Sequence, residues 1–540
     1  MSAYPKAPGS AEGEGGIVAE VVPGEDWTDR VVTATPWWAL SIGVHGLVLL
    51  LAIYVALGSS VSATVEEISM VRLSPRPVEP TPLDLTRNVF DNRKPIRDAK
   101  SVEDPVFIRN VEDSDRNETK DDEEFRKAKG DSRDFLSDKP FKGQGLQDSI
   151  GGGGAPGGRY GGRLGGKGAY VTRGGGDSRT EQSVLDGLRW LARHQNPDGS
   201  WDTDGFASQC GRHLRGACGG PGYPEYDTGN TALALLAFLG AGYTHLSRDV
   251  FDGICFGSVV KKGTQWLMAN QDGDGCLGGR SAAKYMYNHA IAALALSEAY
   301  GLSGSGLLKD AAQRSISFLA SAQNPGSGWR YAARGGDSDS SVTGWCVMAL
   351  KSAEISGLSV PVSGYAGARA WFDAVTTEDC DVGYNDRAAT GTVVVRGRTE
   401  NYADHDALVA IAVMSRIFMD RDKTDRRVRG GVDRLIRDLP VWDGPQIDFY
   451  YWYYASLALF QYDAPTGRYW TAWNENLKRA LVNHQKPASE GCLGGSWDPI
   501  DRWGFEGGRV YATAINVLTL EVYYRYDCVL GSDKREGAGK

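Results

Sequence analysis

One pattern recurs after residue 180 and constrains the fold more than any other feature. An amphipathic helix runs to a glutamine, a Gly-rich turn follows, often with tryptophan, and a second, more apolar helix comes next. "VLDGLRWLARHQNPDGSW" carries Gln195, Gly199 and Trp201; "VVKKGTQWLMANQDGDGCLGG" carries Gln271 and Gly275. "SISFLASAQNPGSGWRY" carries Gln323, Gly328 and Trp329; "LKRALVNHQKPASEGCLGGSW" carries Gln485, Gly491 and Trp497. Glycine ends each helix and permits left-handed backbone angles, the glutamine amide can bridge exposed backbone groups, and the indole packs over the turn.

The second helices are "TGNTALALLAFLGAGY", "NHAIAALALSEAYGL", "SVTGWCVMALKSAEISGL", "DHDALVAIAVMSRIFM", "FYYWYYASLALFQY" and "VYATAINVLTLEVYY". First helices without the Gln/Trp signature occur at about 365–375 and 427–438, which makes six pairs. Mixed helices alternating with nearly all-apolar ones predict two concentric layers. The expectation is an all-α (α/α)6 toroid over residues 181–528, closed rather than an open solenoid.

These turns resemble the repeats of squalene cyclases and protein prenyltransferase β-subunits, the terpenoid-cyclase α/α-toroid superfamily. The resemblance covers nearly all of residues 180–528 and speaks to fold more than to activity. Squalene-hopene cyclases protonate an alkene with an Asp-x-Asp-Asp-Thr-Ala segment opening an inner helix. Here "DSSVTGWCVMAL" keeps Asp339 but places Ser341 at the acid, and "DTGNTALALLAF" keeps Asp227 with Gly229 there. "DHDALVAIAV" keeps Asp404 and Asp406, followed by Ala407. Asp339, Asp404 and Asp406 are therefore the candidate catalytic carboxylates, with helix capping as the competing role. The zinc-dependent prenyltransferases place a histidine in a "DFYH"-like opening. This chain has "DFYYWYY", with Tyr451 at that position, so neither a metal nor a cofactor is implied. The remaining candidate cavity residues are Tyr285, Tyr287, His289, Tyr450, Tyr451, Tyr454 and Tyr511, a wall suited to an apolar, sugar-like or peptide ligand.

Ahead of the repeats, "WWALSIGVHGLVLLLAIYVAL" (Trp37–Leu57) holds 21 residues with no acidic or basic charge and one histidine. At 1.5 Å per residue it would extend about 31 Å, one hydrocarbon thickness, and it reads as a single-pass anchor. Ser41 and His45 are spaced i, i+4 and share one face. "S-I-G-V-H-G" followed by "LSPRPVEPTPLDL" is similar to the N-terminus of TonB-type energy transducers. In that family the Ser-x3-His face docks on an ExbB/ExbD-type proton channel. The resemblance implies a short cytoplasmic tail at 1–36, a bacterial inner-membrane span and a periplasmic remainder.

Residues 58–180 read as a linker, first charged, then the glycine tract Gly151–Gly176, which is expected to stay flexible; a coil of about 120 residues reaches roughly 60 Å. Residues 529–540 read as a disordered tail. A net charge of −9 without a basic stripe argues against nucleic acid as a partner. Among the 8 cysteines, Cys210 and Cys218 flank "CGRHLRGAC" and are the best disulfide pair; with His213 they form a loose metal-ligand set. Cys276 and Cys492 sit in similar "GCLGG" turns. Three functional classes follow: a ligand- or partner-binding module linked to a proton channel, a divergent cyclase, lyase or hydrolase using the inner-helix carboxylates, or a purely structural envelope protein.

Overall fold

The computed structural model describes residues 45, 162–163, 167–211, 217–387, 392–395, 398–401 and 406–525. His45 is helical and exposed and belongs to a separate unit, Met1–Phe90. The rest of the expected span, including Ser41, and the linker up to residue 161 lie outside the described residues, as do Asp404 and His213. Among the described residues, no helix is long and apolar enough to cross a membrane.

Among the described residues, the repeats form twelve helices in six hairpins. A short helix, α1 (Lys167–Gly174), precedes them. The outer helices are α2 (Ser178–Arg193), α4 (Phe256–Ala269), α6 (Gly306–Ala322), α8 (Val362–Val375), α10 (Arg426–Leu435) and α12 (Arg468–Val482). The inner helices are α3 (Asp227–Gly240), α5 (Tyr285–Ser303), α7 (Ser340–Ile355), α9 (Ala407–Asp420), α11 (Phe449–Asp463) and α13 (Gly504–Leu520), followed by α14 (Val522–Arg525). The two helices without the Gln/Trp signature are α8 and α10. Two small antiparallel hairpins interrupt the pattern, β1 (Val250–Phe251) with β2 (Ile254–Cys255), and β3 (Thr392–Val395) with β4 (Arg398–Asn401). Each inner helix packs on the next, and α13 packs back on α3. The ring is closed, an (α/α)6 toroid.

The repeat signature shows why it closes. Gln195 donates its amide to the carbonyl of Gly199 in its own turn and to that of Val259 on the next outer helix, at 3.0 and 2.9 Å. Gln271 does the same to Gly275 and Ala311, and Gln323 to Ser327 and Gly364. Gln485 joins Gly495 to Ser183, so the last turn grips the first outer helix. Each indole serves its own hairpin: the Nε1 groups of Trp201, Trp329 and Trp497 donate to the carbonyls of Leu191, Leu319 and Leu481. The glycine is demanded twice over at Gly275. Its φ is +99°, and a Cβ there would press into the Arg314 carbonyl of α6. In the last turn the accepting glycine lies ten residues beyond the glutamine instead of four, so Gly495, not Gly491, fills the role. Where the glutamine is missing, ion pairs span the gap: Asp373 of α8 takes Arg416 of α9 at 2.7 Å and also Arg427 of α10.

The described C-terminal part of the glycine tract departs from its expected flexibility. Lys167–Gly174 is helical, with Tyr170 and Val171 buried against α14. Packing of these two apolar side chains outweighs the poor helix propensity of the flanking glycines. Just upstream, Arg163 is fully buried, forms an ion pair with Glu298, and donates to the Arg525 carbonyl at 3.0 and 3.2 Å. Arg525 in turn bonds Glu298 at 3.1 Å and Glu521 at 2.9 Å. These two guanidiniums and two carboxylates balance in charge inside the ring's wall, toward the C-terminal ends of α5 and α13. The folded unit therefore begins before residue 181.

Candidate functional site at the inner-helix N-termini

Every inner helix follows a turn at the same end of the ring, so six helix N-termini converge there. Their unpaired N–H groups and dipoles favour negative charge, and the sequence supplies carboxylates at or near the starts. Asp339 is buried and accepts the Val342 N–H at 2.7 Å as the cap of α7. Asp448 caps α11 through the Tyr451 N–H at 2.9 Å and lies 3.7 Å from Arg502. Asp227 accepts the Thr203 N–H at 2.8 Å, and burial pushes its carboxyl up to about 6. Asp406 occupies the cap position of α9 but makes no side-chain cap. It instead pairs with Arg434 of α10 at 2.9 Å. Of the sequence candidates for catalysis, Asp339 and Asp406 are thus engaged in holding helices.

The expected aromatic wall separates into different surroundings. Tyr450 meets the Ser341 hydroxyl at 2.7 Å and lies edge-on to Tyr454, 4.9 Å between centroids, with Trp345 beside Tyr454. Tyr511 donates to Asp501 at 3.1 Å. These three tyrosines and Trp345 are buried within the ring's interior packing. Tyr451 points the other way: its hydroxyl donates to the Leu435 and Asp438 carbonyls of the outer layer, and its ring packs on Trp473. His289 is also interlayer. Nδ1 accepts the Leu277 N–H, Nε2 bonds the Ser315 carbonyl, and the ring meets Phe318 edge-on. Burial pushes it down to about 3, a neutral structural imidazole.

A different strip gathers at the end of the ring where the inner helices begin. Tyr226 donates to Glu506 at 2.9 Å, and Lys284 donates to the Tyr226 hydroxyl at 3.2 Å while lying 3.9 Å from Glu506. The Lys284 ammonium also sits 5.9 Å from the Tyr331 ring, whose hydroxyl meets that of Tyr384 at 2.7 Å. Arg330 lies over both of those rings, at 4.9 and 5.8 Å. The half-buried Tyr285 hydroxyl accepts the Ala333 N–H at 2.8 Å and Tyr287 lies 6.0 Å from Tyr331, so these two expected residues border the strip. Lys284, Arg330 and Tyr331 are partly exposed and offer donors and an aromatic face, backed by the buried Tyr226, Tyr384 and Glu506. Tyr226, Lys284, Arg330, Tyr331, Tyr384 and Glu506 were not among the sequence candidates. The available signal was positional: each lies within a few residues of the start of an inner helix or in the turn leading to one.

Two groups have the composition of cation ligands. Asp202, Asp204 and Asp227 form one, at the approach to α3. The other joins His194, Cys210, Cys218 and Cys492. Cys210 and Cys218, the expected disulfide pair, are not bonded to each other in this structure; each Sγ lies 3.5 Å from His194 Nε2.

No family model matches the chain, and no curated protein does. Solved structures with a similar layout include an inactive α-1,6-mannanase variant from Salegentibacter in complex with α-1,6-mannotriose. It is 12% identical, has a TM-score of 0.42, and the match covers 65% of this chain and 99% of the other. A type II terpene cyclase variant from Scytonema bound to geranylgeranyl dihydroxybenzoate matches at 13% identity and TM-score 0.39, covering 64% and 96%. An unsaturated glucuronyl hydrolase variant from Streptococcus agalactiae matches at 11% and 0.40, covering 73% and 96%. These chains act on unlike substrates, and the ring of the present chain stands on its own helix contacts.

Proposed function

We propose that this chain is a membrane-anchored binding protein of the bacterial inner membrane. Its periplasmic ring takes a polar ligand or partner segment at the Glu506–Tyr226–Lys284–Tyr331–Tyr384–Arg330 strip, and its apolar N-terminal segment couples the ring to an ExbB/ExbD-type proton channel through Ser41 and His45. The observation that carries the binding half is the division of labour at this end of the ring. Asp339 and Asp406, the carboxylates in position for acid chemistry, are engaged in a cap and an ion pair, whereas Lys284, Arg330 and Tyr331 keep part of their surface accessible above the buried Tyr226, Tyr384 and Glu506. The coupling half rests on the Ser-x3-His spacing within an uncharged stretch.

An enzymatic reading draws on Asp227, raised to about 6 by burial and therefore able to exchange a proton near neutrality. One experiment addresses both. Full-length protein is purified from native membranes as wild type, His45→Ala and the double variant Lys284→Ala/Arg330→Ala, and bound proteins and small molecules are identified by mass spectrometry. The expected result is a proton-channel pair lost only in His45→Ala, and a polar ligand or partner lost only in the double variant. Identical recoveries from all three refute the proposal. Recovery of a ligand together with its cleaved or rearranged product, abolished by Asp227→Asn, would establish the enzyme instead.

A further inference from the structure

At the seam where the ring closes, four side chains from three places in the chain point at one spot. His194 is the C-cap residue of α2, Cys210 and Cys218 lie on the segment between α2 and α3, and Cys492 comes from the turn after α12. The His194 Nε2 is 3.5 Å from Cys210 Sγ, 3.5 Å from Cys218 Sγ and 3.3 Å from Cys492 Sγ, and all four ligand atoms lie within 4.8 Å of one another. We propose that this cluster is a structural zinc site that staples the last hairpin of the ring to the first.

Three observations carry it. First, the nitrogen-to-sulfur distances fit tetrahedral ligation. With Zn–N of about 2.0 Å and Zn–S of about 2.3 Å, the nitrogen stands about 3.5 Å from each sulfur. Second, the imidazole is aimed. Its Nδ1 bonds the Trp190 carbonyl at 2.7 Å, which sets the tautomer and leaves the Nε2 lone pair facing the sulfurs, and the ring stacks on Trp190 with centroids 4.1 Å apart. Fully buried, His194 has no competing solvent. Third, thiols alone do not account for the arrangement. One lone pair accepts one S–H, yet three sulfurs share it, and the Cys218 N–H also donates to Cys210 Sγ at 3.2 Å. A soft, four-coordinate donor set of three thiolates and one imidazole selects zinc over the hard cations. Binding through three thiolates releases three thiol protons, so affinity falls at low pH.

The placement gives the site its task. Cys492 and His194 lie 298 residues apart in sequence, and the same seam holds the Gln485–Ser183 and Arg193–Gly494 bonds at 2.8 and 2.9 Å. A metal there closes a long loop and needs no open coordination position.

The test is elemental analysis of the full-length protein, purified in detergent under reducing conditions. The expected content is about one zinc per chain, falling at least tenfold in Cys492→Ser and His194→Gln and unchanged in Cys346→Ser, a buried cysteine elsewhere on α7. A wild-type measurement covers the case in which a variant fails to fold. Titration with a mercurial should release the zinc as the thiols are consumed, and cobalt exchange should give the visible bands of a tetrahedral thiolate complex. A wild-type chain without stoichiometric zinc, a disulfide among these three cysteines detected by mass in the unreduced protein, iron in place of zinc, or a Cys492→Ser variant that keeps its zinc would each overturn the assignment.

Discussion

Gln485, just beyond the last outer helix, donates its side-chain amide to the carbonyl of Ser183 on the first outer helix at 2.8 Å, and to Gly495 in its own turn at 2.8 Å. The same two bonds link successive hairpins elsewhere, but here they join the two ends of the repeat array. Replacing Gln485 by Leu leaves two carbonyls without their donor. The expected cost is about 1–3 kcal/mol, read as a lower urea midpoint with little change in slope. Gln182→Leu on the exposed face of α2, where the amide reaches only Asp186, should change little. Equal midpoints for the two variants would remove the seam role.

The turn glycines separate into two kinds. At Gly275 the φ of +99° and the Arg314 carbonyl both exclude a side chain, whereas Gly357 has φ +74° with open space around it. Gly357→Ala should cost about 1–2 kcal/mol for the left-handed backbone alone. Gly275→Ala should cost clearly more, because α6 must also move off. Thermal midpoints of the pair, measured in the same buffer, decide whether close approach or backbone angle dominates.

Arg163 belongs to the ring although it lies in a glycine tract. Arg163→Met removes one of the two arginines paired with Glu298 in a fully buried setting and should destabilise the fold by about 3–5 kcal/mol. The paired variant Arg163→Met/Glu298→Gln removes the stranded charge and should recover part of that loss. A double variant no more stable than the single one would mean the cluster acts through packing.

The closed ring was legible because the Gln, Gly and Trp of each turn serve backbone needs that recur, so they survive as pattern. Even α8 and α10, which lack the signature, were marked by the apolar inner helices after them. The site was far less legible. Tyr450 and Tyr451 are adjacent, yet about 100° of helix rotation turns one to Ser341 and the other to the Leu435 carbonyl. A helix apolar on all sides gives no phase by which to choose. The cysteines show the same limit. Closeness in sequence paired Cys210 with Cys218, while the fold adds His194, hidden in an ordinary "HQ" helix end, and Cys492 from the far side of the chain.

The carboxyl of Asp227 gives a pH signature. Burial, with Asp202 and Asp204 nearby, raises it to about 6 from 3.8, against the bonds from Thr203. A folded-state value above the unfolded one means the native chain holds the proton more tightly. Asp227 therefore adds stability while protonated, below the unfolded value, and that contribution is lost as pH rises from about 4 through about 6. Other carboxylates run the opposite way, such as Asp498, held low by Arg509 and Lys486 against its burial, so the whole-protein curve mixes signs. The difference between wild type and Asp227→Asn isolates the group. Wild type minus variant stability should fall between pH 4 and pH 6 and be flat above about pH 7. A difference that rises over that window would mean the carboxylate is stabilised in the fold, as a cation bound with Asp202 and Asp204 would make it.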